Sequence, residues 1–172
     1  MRTILSIAAA GIAASPLTYA AGIEVSVEIP RLNVAEYHRP YLAMWIEHPD
    51  QSFAANLAVW YDQQTSKSEK GTTWLKDLRQ WWRKSGRDLT LPIDGISGAT
   101  RPPGVHSIAF QGAKSPFAKL EPGPYQLVVE ASREVGGREI VRIPFQWPAT
   151  AAHPVKVKGE RELGTVQLSV RP

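Results

Sequence analysis

At 172 residues and 19.0 kDa, with 43% hydrophobic and 21% charged residues, the chain has the size and composition of one globular domain, not of a disordered segment. Lys and Arg number 20 against 16 Asp and Glu, and this net +4 is too small an excess to mark a nucleic-acid-binding surface. Cysteine is absent, which excludes disulfides, thiolate metal and iron–sulfur sites, Cys-anchored haem and a Cys nucleophile.

Residues 1–20 carry the charged Arg2, the apolar run Ile4 to Ala14 and the small residues Thr18 and Ala20. These are the three parts of a secretory signal peptide, and the run is too short to span a bilayer. No Cys follows for a lipid anchor. Cleavage after Ala20 leaves residues 21–172 as a single domain and removes Arg2, so the charge falls to +3. No later run is long and apolar enough for a membrane helix. The expected mature protein is exported to the periplasm and does not itself span the membrane.

Beyond Ala20, Ile23, Val25, Val27 and Ile29 alternate with Glu24, Ser26 and Glu28, the period of a half-buried strand. Tyr41 to Ile46 and Leu57 to Tyr61 read as two further strands. Trp74, Leu75, Leu78, Trp81 and Trp82 then recur at helical spacing, which predicts one amphipathic helix over 74–85. Thr72 or Thr73 is placed to cap its start, Ser85-Gly86 to end it, and Arg83 and Lys84 suit its C-terminal dipole. Pro92 to Gly104 reads as a loop rich in Gly and Pro. His106 to Phe110 is a weaker strand. Tyr125, Leu127, Val129 and Ala131 alternate, and Val141, Ile143 and Phe145 follow after Gly136-Gly137, which makes a hairpin. Val166, Leu168 and Val170 form the last strand. Seven short strands and one inserted helix point to an immunoglobulin-like antiparallel β-sandwich.

The four histidines, His38, His48, His106 and His153, share no helix face and no i, i+2 strand spacing, so no metal site is expected from them. His106 is read as a satisfied strand-end residue. No Gly-rich phosphate loop, Gly-x-Ser-x-Gly elbow or His-Glu-x-x-His motif occurs, and Asp62 and Asp94 have no spacing that argues for hydrolysis. No catalytic residues are assigned. Of the tryptophans, Trp45, Trp60, Trp74, Trp81 and Trp82 are read first as core or helix–sheet packing, with one or two placed to stack on a flat ligand.

One segment stands apart. Asp94-Gly95-Ile96-Ser97-Gly98-Ala99-Thr100 resembles the acceptor motif of covalent flavinylation, Asp-x-x-(Ser/Thr)-Gly-Ala-Thr, and matches it at every specified position. With average residue usage, a chance match arises roughly once in a few thousand chains of this length. The resemblance implies FMN attached to Thr100 through a phosphoester by a separate FAD:protein FMN transferase. The residue types suit that chemistry. Thr100 supplies a hydroxyl, and Gly98 and Ala99 put little bulk beside it. Ser97 completes the motif. Pro102, Pro103 and Gly104 keep the segment out of a central strand. Arg101 is placed to pair with the attached phosphate. Asp94 is implied in recognition by the transferase.

The runs Arg39 to Glu47, Trp74 to Trp82, Ser97 to Gly104 and Gly123 to Glu130 also resemble an exported family of predicted periplasmic proteins of unknown function. That family accompanies FMN transferases and PepSY-type membrane proteins. The resemblance covers most of the mature chain and implies a flavin-bearing partner for a membrane flavin or haem reductase. Two functions are therefore carried forward. The first is a periplasmic FMN-carrying redox protein, an electron-transfer flavoprotein more than a stand-alone enzyme. The second is a cofactor-free sandwich that binds a sugar, peptide or metal complex. The motif favours the first.

Overall fold

Ile23, Val25, Val27 and Ile29 are all buried and the residues between them are not, so β1 (Gly22–Ile29) turns one face to a core. The structure is a computed structural model that describes residues 21–63, 71–112 and 115–172. The signal peptide read at 1–20 lies outside the described residues.

β1 lies between β5 (Gly104–Gln111) and β9 (Thr165–Arg171), and β9 pairs on with β8 (His153–Lys158). The first sheet thus runs β5–β1–β9–β8, antiparallel throughout. The second runs β4–β3–β2–β6–β7, built from β2 (Tyr41–Glu47), β3 (Phe53–Tyr61), β4 (Ser97–Ala99), β6 (Gly123–Ser132) and β7 (Arg138–Trp147). Only β3–β4 is parallel. Leu42, Met44, Leu127 and Val129 of the second sheet close against Val25, Val27 and Leu168 of the first. Two packed sheets with one shared core make a β-sandwich, as expected.

The strand order follows an immunoglobulin sandwich over much of both sheets, except that β5 is an edge with no strand in the D position and β8 and β4 extend the other edges. β1, β2 and β3 take the places of strands B, C and C′, and β5, β6 and β7 those of E, F and G. The C-terminal β9 fills the position beside β1 that an N-terminal strand holds in that fold. At the start of β6 the Tyr125 hydroxyl donates to the Glu121 carbonyl at 2.8 Å, the corner contact that such sandwiches make at the same place.

β2 and β3 are buried on both faces. Ala43, Trp45, Val59 and Tyr61 point away from the sandwich core and meet Leu75, Leu78 and Trp81 of the inserted segment. That double burial is why both strands read as continuous apolar runs.

Three expectations need correction. Nine strands are described where seven were expected, the additional two being β4 and β8. The Pro92 to Gly104 stretch is not all loop, since β4 lies within it, although at the sheet's edge and not its centre. The 74–85 helix is not one helix. A 3-10 segment, Gly71–Asp77, precedes α1 (Arg79–Lys84), and a further 3-10 turn, Gly86–Asp88, follows. Neither Thr72 nor Thr73 caps the α-helix, which begins after Leu78. The buried residues Leu75, Leu78 and Trp81 recur every third position, a spacing that a three-residue turn keeps on one line. The expected C-terminal end holds, with Ser85 capping and Arg83 and Lys84 in the last turn.

The start of α1 is fixed from a distance. The wholly buried Glu130 carboxylate on β6 accepts from the Gln80 and Trp81 backbone N–H groups at 3.1 and 2.8 Å. These are orphan donors of a helix start, and a carboxylate suits the positive end of its dipole.

Candidate functional site

The acceptor-like motif is laid along the edge of the second sheet by backbone hydrogen bonds. The Ile96 and Ser97 N–H groups donate to the Ile93 carbonyl, and the Ser97 hydroxyl accepts from the Ile93 N–H at 2.9 Å. Gly95 takes φ +74°, a conformation that favours glycine, and leaves Asp94 exposed at the turn. β4 then runs beside β3 with Val59 opposite Ser97, Trp60 opposite Gly98 and Tyr61 opposite Ala99. The Thr100 N–H donates to the Tyr61 carbonyl at 3.2 Å.

Two faces leave this strand. On one, Gly98 lies against the buried Trp60 ring, the Arg101 guanidinium stands 5.4 Å above that ring, and His106 meets it edge-on at 6.0 Å. On the other, Ala99 and Thr100 line a groove of about 1180 Å³. Its wall includes Tyr37, Arg39, Trp74, Arg79, Arg133 and Arg138. The structure therefore separates the candidate residues. Ala99 and Thr100 reach the groove, Ser97 and Gly98 shape the backbone, and Asp94 and Arg101 are exposed outside the groove lining.

The β6–β7 hairpin supplies the far wall. Arg133 is buried and grips Glu162 through Nε at 2.8 Å and Nη2 at 3.1 Å. A β-carbon on Gly136 would stand 2.5 Å from the Arg133 Cζ, so glycine lets the turn fold over the guanidinium. Arg133 Nη1 and the Tyr37 hydroxyl are buried atoms that make no hydrogen bond among the described residues. Burial pushes the Tyr37 hydroxyl pKa above its ordinary value, against the opposing pull of nearby Arg133. Arg138 Nη1 pairs with Glu130 at 2.8 Å. Asp62, Asp77 and Glu134 bring negative charge to the same groove.

Trp45, Trp60 and Trp81 are buried, as core packing requires, and Trp82 packs against the second core. Trp74 differs: it is 42% exposed and lines the groove. His106 Nε2 lies 2.8 Å from the Pro102 carbonyl, the satisfied strand-end role expected of it. His38 sits between Glu36 and Glu134, and His48 packs on Tyr125. Among the described residues no group of three or more metal-ligating side chains is placed to hold an ion. Sequence reasoning missed Tyr37, Arg39, Arg79, Arg133 and Arg138, because nothing local ties these separated positions together. The groove thus holds one half-exposed indole and four arginines beside the carboxylates Asp62, Asp77 and Glu134, with Arg133 and Arg138 already paired to Glu162 and Glu130.

Fold and topology put the chain in the class of immunoglobulin-like β-sandwich domains. Within that class it belongs to the family described as predicted periplasmic protein (DUF2271), whose model matches residues 22–165. A predicted periplasmic family agrees with the export read from residues 1–20. No helix among the described residues is long and apolar enough to cross a membrane. No curated protein and no solved structure matched the chain.

Proposed function

We propose that the protein carries FMN on Thr100 in the periplasm and relays electrons with a membrane redox partner. The observation that carries this reading is the complete acceptor motif, Asp94 to Thr100, with its threonine on the lining of the groove. In the attachment step the Thr100 Oγ attacks the FMN phosphorus of FAD. The bond to AMP breaks, AMP leaves, and the hydroxyl proton passes to a base of the FAD:protein FMN transferase. The exposed Asp94 is available to that enzyme. Arg101, next in sequence to the acceptor, supplies a cation near the resulting phosphodiester. Bound flavin supplies one- and two-electron transfer, so the chain needs neither Cys nor metal for redox work. The covalent link keeps the cofactor from diffusing out of the compartment. A PepSY-type or other flavin or haem reductase in the membrane is the proposed partner.

The experiment is intact-mass analysis after co-expression with an active, matched transferase. A gain of one FMN, with flavin fluorescence that survives a denaturing gel, is the expected result. An unlabelled chain overturns the proposal and leaves the cofactor-free binding module as the reading to pursue.

A further inference from the structure

We infer that the groove beside Thr100 is the resting place of the flavin ring, with Trp74 as the aromatic face against which it lies. This deepens the reading of Thr100 as acceptor and rests on it.

The tether begins at the groove. Ala99 and Thr100 are part of its lining, so a group bonded to Thr100 starts at the wall of the cavity. The space of about 1180 Å³ is ample for it, since small-molecule pockets run from roughly 300 to 1,000 Å³. The 3-10 segment Gly71–Asp77 buries Leu75 in the sheet and leaves Trp74 at the groove, 42% exposed. Lys76 Nζ lies 5.7 Å from the same indole and adds a cation beside it.

The far wall offers what the polar edge of an isoalloxazine ring lacks. That edge carries carbonyl oxygens and ring nitrogens that accept hydrogen bonds. Tyr37 and Arg133 line that wall, and the Tyr37 hydroxyl and Arg133 Nη1 are buried within it with no acceptor among the described residues. A buried donor left unmade is destabilising, and an acceptor on a ligand that reaches it removes that cost. Arg133 is held by two hydrogen bonds to Glu162, so its Nη1 is fixed in place before any ligand arrives.

The test uses the FMN-labelled full chain, with mass spectrometry recording the adduct in every sample. Wild-type flavin fluorescence should be quenched in the native state and rise several-fold on denaturation. Iodide should quench the native flavin far less than free FMN. Trp74→Leu should keep the adduct and raise native fluorescence several-fold. An adduct that iodide reaches as readily as free FMN overturns the seat, whatever the variant does. A shielded ring whose quenching is unchanged in Trp74→Leu overturns the role of Trp74. No adduct at all overturns the reading of Thr100 and this inference with it.

Discussion

Trp60 and Gly98 face each other across the parallel pair β3–β4, so closely that a β-carbon on residue 98 would stand 3.0 Å from the indole Cδ1. Trp60 is 2% exposed and packed in the sandwich core, so it has nowhere to retreat. In this chain Gly98 therefore has a packing cause as well as its place in a segment that resembles an acceptor motif. It lets β4 lie flat on the sheet edge and so sets the position of Thr100.

Gly98→Val should lift β4 from β3. A branched side chain forced against a fixed indole costs about 1–3 kcal/mol, read as a lower thermal midpoint. FMN labelling should fall as well, although the Thr100 hydroxyl is intact. Unchanged stability and labelling would show that the edge strand adapts freely.

Thr100→Ala should abolish labelling in the co-expression assay, because the attacking oxygen is gone. Thr100→Ser keeps a hydroxyl and should retain part of it. Asp94→Ala, at an exposed turn position, should reduce labelling and leave the melting curve in place. Mass spectrometry and calorimetry on the same samples separate chemistry from folding.

Glu130→Ala should destabilise the domain by about 1–3 kcal/mol, since it strips the Gln80 and Trp81 N–H groups and Arg138 of one acceptor. Urea midpoints should fall with the slope unchanged. Glu130→Gln keeps an oxygen in place and should recover part of the loss.

Glu139 gives a pH dependence of defined sign. Burial pushes its carboxyl pKa upward. The backbone N–H groups of Glu160, Leu163, Arg161 and Glu162, at 2.5–3.0 Å, outweigh burial and hold it below the ordinary 4.5. A depressed folded-state pKa contributes stability above the unfolded value and loses it as pH falls through the folded one. Glu139→Gln should therefore be less stable than wild type at neutral pH, and the gap should close on acidification below about pH 4. A gap that widens in acid would contradict the hydrogen-bonded carboxylate.

Burial decided what was legible in the sequence. β1, β6 and β9 bury alternate residues on the core face, so Ile23-Val25-Val27, Tyr125-Leu127-Val129 and Val166-Leu168-Val170 show the strand period directly. β8 carries only Val155 and Val157 between Pro154 and Lys158 at a sheet edge, too little pattern to mark a strand. The Ser-Gly-Ala of β4 has no apolar signal at all, because Trp60 supplies the bulk from the neighbouring strand. The inserted segment was visible from its apolar spacing. Its break before Arg79 was not, since that depends on Glu130, some fifty residues away in sequence. The candidate acceptor is a contiguous motif and could be read directly. The groove gathers Tyr37, Trp74, Thr100 and Arg133 from four separated stretches, and only the topology brings them together.

The pairing of β1 sets a timetable for the molecule. Gly22 is opposite Gln111 on one side and Arg171 on the other, so β1 has no partner until β5 exists and stays half-satisfied until β9 does. Contacts this distant in sequence form late, because loop closure precedes any gain from pairing. A chain delivered N-terminus first across a membrane thus cannot close its first sheet while most of it is still in transit. Folding is deferred to the far side.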